Sequence, residues 1–159
     1  MSNRDQVRTA ESEVRCCADT LAKQAAILER TLPGLPMDAG LRTTALELAA
    51  GIRDTAGRVT FELAMLEANA DEIGRDVRSV VRTLTDLDAA MMNALAPVAE
   101  IADRLEAAAE SDHEQERAFV VLIEAAAEML EALAQARSST AALGDGGDGT
   151  RLGRGPAYP

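Results

Sequence analysis

"LRTTALELAAGIRDTAGRVTFELAMLEANADEIGRDVRSVVRTLTDLDAAMMNAL", residues 41–95, carries one apolar stripe: Leu41, Ala45, Leu48, Ile52, Ala56, Val59, Leu63, Leu66, Ala70, Ile73, Val77, Val80, Leu84, Leu87, Met91 and Leu95. The steps alternate between three and four, the mark of a helical seam kept in phase over many heptads. An unbroken helix over 38–95 would be roughly 85 Å long at about 1.5 Å per residue. Gly40, Gly51, Gly57 and Gly74 weaken it, each by about 1 kcal/mol relative to Ala. "NADEIG" (69–74) offers a cap at Asp71, so a turn there would divide the segment into two antiparallel helices. Both readings stand, because the stripe keeps its phase and no proline enforces the break.

Working outward, an earlier helix is expected over about 7–32, with Val14, Leu21 and Leu28 seven apart. "LPGLP" (32–36) stops it, since residues before proline avoid helical angles. Asp38 is then placed to cap the next helix. Downstream, Pro97 removes a backbone donor and should bend the chain. Helices follow over 98–110 and 112–137, the last with Ala118, Leu122, Ala125, Met129, Leu133 and Ala136 on one face and with Val120, Val121 and Ile123 widening it. Residues 138–159, "SSTAALGDGGDGTRLGRGPAYP", lose periodicity and read as a flexible Gly-rich tail. The expected fold is therefore all-α: an elongated antiparallel helical hairpin or bundle with coiled-coil character and a disordered C-terminal tail. The seam is longer than the flanking helices can cover, so a homodimer is expected.

Composition narrows the function classes. Phe61, Phe119 and Tyr158 are the only aromatic residues among 159, and no Trp is present, which suits long helices better than an enzyme core. The formal charge is −11, and residues 89–137 alone hold 10 acidic against 3 basic groups. Such a surface repels phosphate backbones and anionic lipids, so nucleic acid and membrane surfaces are not expected partners, while a basic protein surface is a permitted one. No long apolar run predicts membrane spanning, and the N-terminus lacks the apolar core of a signal peptide, so a cytoplasmic location is expected. Fifteen Arg against one Lys reads as codon bias in a GC-rich bacterial genome.

"ESDHEQER" (110–117) holds the one histidine. Glu110 and His113 have the Glu-x-x-His spacing of four-helix di-iron proteins, and a dimeric metal-binding helical protein is an alternative on that ground. The same run has capping-box patterns, Ser111 with Glu114 and Asp112 with Gln115, which make it a helix start. A phosphoacceptor role for His113 is opposed by Glu114 and Glu116. Cys16 and Cys17, as neighbours, do not suit a disulfide, and Cys17 falls on the apolar stripe as a small core residue. "GDGGDGTR" (144–151) follows a helix instead of joining a strand to one, so it is no phosphate-binding loop. No catalytic residue, cofactor or metal is assigned.

Two features carry function without chemistry. Acidic residues Glu100, Asp103, Glu106, Glu110, Glu124, Glu128 and Glu131 lie at helical spacing, which means a solvated face or a docking surface. Arg151, Leu152, Arg154 and Tyr158 form either a docking peptide on a tether or an unselected terminus. The general build is similar to that of helical-hairpin export chaperones, granule-coating phasins and chemoreceptor signalling hairpins, but no motif matches any of them residue by residue. The expected function is a non-enzymatic helical interaction module, an adaptor, scaffold or export-chaperone-like protein, with Glu124, Glu128, Glu131 and the tail residues as candidate contacts.

Overall fold

A computed structural model describes the backbone of residues 3–68 and 77–154 and the side chains of 4–68 and 77–143. The elements are α1 (Asn3–Thr31), α2 (Ala39–Ala68), α3 (Val77–Leu95), α4 (Pro97–Ser111) and α5 (Glu116–Arg154), with short 3-10 turns at Leu32–Gly34 and His113–Gln115. No strand occurs among the described residues. None of these helices is long and apolar enough to cross a membrane.

Local chemistry sets the joints. After α1 the Leu32–Gly34 turn ends at Leu35, whose backbone is extended (φ −99°, ψ 147°). The Leu35 carbonyl accepts from the Arg42 guanidinium at 2.8 Å. Asp38 caps α2 as expected, its carboxylate accepting from the Leu41 N–H at 3.1 Å and its carbonyl from the Arg42 N–H at 2.9 Å. At the α3/α4 joint Ala96 keeps helical angles (φ −52°, ψ −40°) and its N–H reaches the Met92 carbonyl at 2.9 Å. The helix is interrupted there because Pro97 has no N–H to offer the next carbonyl.

Four helical arms result: α1, α2, α3 with α4, and α5. α1 packs against α2 and α5, while α3 and α4 pack against α5 and α2, giving a four-helix bundle. Arg15 meets Glu67 at 2.5 Å and Arg53 meets Glu29 at 2.6 Å, so numbers fall on α2 as they rise on α1 and the two run antiparallel.

Most of the described seam is buried within one chain, with Leu66 half-buried and Val77 exposed. Leu41, Ala45, Leu48, Ile52, Ala56, Val59 and Leu63 are buried on α2, and Val80, Leu84, Leu87, Met91 and Leu95 on α3. A single rod over 38–95 is ruled out, since α2 and α3 lie side by side, whereas residues nine apart on a straight helix are about 13.5 Å apart. The break expected near 69–74 lies outside the described residues. The argument for a second copy also falls, because α2 and α3 cover each other and α1 and α5 close the core over both. The boundary placed at 137/138 is corrected as well: Thr140 and Leu143 are buried, so α5 is still part of the body there.

Glycines give the first test. A Cβ at Gly51 or Gly57 would meet nothing within 4 Å, so replacing either by Ala should raise stability by about 0.5–1 kcal/mol in denaturant unfolding. At Gly40 a Cβ would stand 3.1 Å from the capping Asp38 carboxylate, so Gly40→Ala should gain less than either.

Candidate functional site

The run Glu110–Arg117 forms the joint between α4 and α5. Ser111 closes α4, its hydroxyl donating to the Ala108 carbonyl at 3.1 Å. Asp112 is extended (φ −148°, ψ 106°) and its carboxylate accepts from the Glu114 N–H at 3.0 Å. Asp112 is thus the cap, and Ser111 is not. Gln115 does not complete the box either, because its side-chain oxygen accepts the Asp38 N–H at 3.0 Å and so laces the α4/α5 joint to the start of α2. Glu110 and His113 are both exposed and lie on opposite sides of the break at Asp112, so they do not share a helical face. Among the described residues no group of three His, Cys, Asp or Glu is disposed to hold a metal ion.

The core holds an unexpected polar cluster. Asp88 on α3 and Thr140 on α5 are only 6% and 5% exposed, and neither Asp88 Oδ1 nor Thr140 Oγ1 has a hydrogen bond of good geometry among the described residues. Burial raises the Asp88 carboxyl above its ordinary 3.8, while the nearby Thr140 hydroxyl and the Arg137 charge pull it back. Cys17 is fully buried, and its thiol is pushed up to about 12 by burial first, then by Asp88 and Cys16. A thiol held protonated in this way is a poor nucleophile. Sequence reasoning missed Asp88 because it stands beside the seam position Leu87, and Thr140 because it was placed in the tail.

The outer face of α5 is the most distinctive surface. Ala118, Leu122, Ala125, Met129, Leu133 and Ala136 are buried as expected. Val120 and Ile123 do not widen that face. They are exposed, with Leu130 47% exposed, and with Ala127 and Ala134 they form a second apolar stripe stepping by three and four on the solvent side. Glu124, Glu128 and Glu131 are exposed in a row beside it. On the same side a groove of about 270 Å³ runs between α1 and α5, with Glu13, Cys16 and Thr20 on one wall and Glu128, Glu131 and Gln135 on the other; no cationic side chain lines it.

A second apolar spot lies on α2, where Phe61 is 65% exposed with Met65 near it. It adjoins a groove of about 510 Å³ between α2 and α3 whose lining is mixed in charge, with Arg58 and Glu62 facing Thr83 and Asp86. Glu100, Asp103, Glu106 and Glu110 are all exposed on α4. Of the tail residues, Arg151, Leu152 and Arg154 belong to the α5 backbone with side chains outside the described set, and Tyr158 lies outside the described residues.

Two outcomes follow from the buried cluster. A folded-state carboxyl pKa above 3.8 means that the unfolded chain releases a proton the folded chain keeps. The stability from this group is therefore fully present below 3.8 and falls as pH rises through the window up to the folded value. Asp88→Asn should flatten that window and make the chain more stable than the parent at pH 7 but not below pH 3.8, read by unfolding at several pH values. Alkylation of the native protein should modify exposed Cys16 alone, and both thiols once the chain is unfolded.

No protein-family model, no curated protein and no solved structure matches this chain.

Proposed function

We propose that the chain is a non-enzymatic helical interaction module, an adaptor, scaffold or chaperone, that presents the outer face of α5 to a protein partner. The observation that carries this reading is the exposed stripe Val120, Ile123, Ala127, Leu130 and Ala134. Isolated exposed apolar side chains are ordinary on any surface. Five positions held in helical register over four turns are not isolated, and a contiguous apolar strip bordered by charge is what partner surfaces look like. The acidic row beside it supports a protein partner over nucleic acid, since carboxylates repel phosphates.

The test is a photo-crosslinking residue placed at Ala127 in cells, with one at exposed Lys23 on α1 as the reference. Ala127 should yield an adduct with a discrete protein that Lys23 does not. Ile123→Asp combined with Leu130→Asp should abolish the adduct and leave the circular dichroism unchanged, because both side chains face solvent. Equal labelling from the two positions would refute the reading.

A further inference from the structure

We infer that the occupant of the α5 outer face is an amphipathic helix with Lys or Arg beside its own apolar stripe, and not a second copy of this chain; this rests on the interaction reading above. Three observations lead to it.

The first is register. Val120, Ile123, Ala127, Leu130 and Ala134 occupy alternating positions of a heptad over about 21 Å, the pattern by which one helix receives another. In that frame the residues just after the second and fourth contacts are Glu124 and Glu131, with Glu128 one row out. The positions on the opposite border are Phe119, Ala126 and Leu133, which are half-buried or buried in the bundle. Between Val120 and Ala134 a partner helix therefore meets α5 charge on one side only, and that charge is negative; Arg117 stands in the same row one heptad before Glu124.

The second is the absence of local neutralisation. The ion pairs among the described residues are Arg15 with Glu67 and Arg53 with Glu29 and Asp54. None involves Glu13, Glu124, Glu128 or Glu131. Glu13, Glu128 and Glu131 border the same groove beside the stripe, which has room for the end of a long cationic side chain and supplies no cation of its own.

The third is what a second copy would do. Antiparallel pairing of two α5 stripes brings Glu124 of one chain against Glu131 of the other, and the reverse, with no positive group between them. Like charges facing each other across an interface are strongly disfavoured. Parallel pairing needs the opposite border, which the bundle already occupies.

The experiment titrates the full-length chain against two labelled synthetic helices with the same leucine heptads, one flanked by Arg and one by Glu. The Arg peptide should bind, the Glu peptide about tenfold or more weakly, and added salt should weaken the Arg peptide. The triple change Glu124→Arg, Glu128→Arg and Glu131→Arg should reverse the preference. Its neutral version with Gln at the three positions should remove the preference without reversing it. An equal charge change on α4, Glu100→Arg, Asp103→Arg and Glu106→Arg, should leave the preference for the Arg peptide in place. Equal binding of both peptides would overturn the inference, as would loss of preference from the α4 variant, which would assign it to net charge alone. Sedimentation showing a dimer that Leu130→Asp dissolves would make the second copy the occupant. If neither peptide binds while the Ala127 adduct persists, the charge inference fails and the interaction reading survives.

Discussion

Burying a long aliphatic seam with no fully buried aromatic side chain among the described residues constrains everything else in this molecule. The core is built from Leu, Ile, Val and Met interleaved with alanines such as Ala10, Ala18, Ala25, Ala45, Ala56, Ala118, Ala125 and Ala136, and Phe61 is left outside it. Small residues at the contacts let helix axes approach closely, towards the lower end of the usual 8–10 Å spacing. Each layer then buries little area, so many layers are needed. Helices of 29 and 30 residues for α1 and α2 supply them. Length stands in for bulk, and the bundle geometry follows from that exchange.

Long helices with small contacts can slide past one another, and the joints oppose this. Gln115 from the α4/α5 joint accepts the Asp38 N–H, while Arg42 holds the Leu35 carbonyl of the α1/α2 turn, so both joints are fastened at one end of the bundle. Along the first pair, the Arg15–Glu67 and Arg53–Glu29 bridges mark the same antiparallel register, 14 residues apart on each helix. Exposed pairs of this kind add little energy. Their value is positional, as they agree with the register that the buried side chains set. Fastening α5 beside α1 also brings Glu128 and Glu131 across from Glu13.

The seam, the "LPGLP" stop, the Asp38 cap and the buried face of α5 were legible in the sequence because each rests on local chemistry: a period, a missing donor, a side-chain oxygen near free N–H groups. Where the chain reverses between α2 and α3 was not legible, since the period continues in phase whether the helix runs on or folds back. The outward placement of Val120 and Ile123 was missed for a related reason. A helix with apolar residues on two sides has no single direction to read, and only its neighbours decide which side is covered. Asp88 and Thr140 were invisible because their burial comes from helices distant in sequence.

The acidic row on α5 can be read as nothing more than a solubility device, and its placement bears on that alternative. Charges kept for solubility are most effective when they interrupt an apolar strip, since even one carboxylate in its middle makes a dry contact costly. Here Val120 through Ala134 runs without a charge at any of its five positions, and the acids stand together on the border facing α1. This arrangement leaves the strip able to be covered while making two copies of it poor company for each other. Under the proposal that a basic helix covers the strip, selectivity is what would separate this surface from a merely soluble one, and the side of α5 on which the glutamates stand is what would create it.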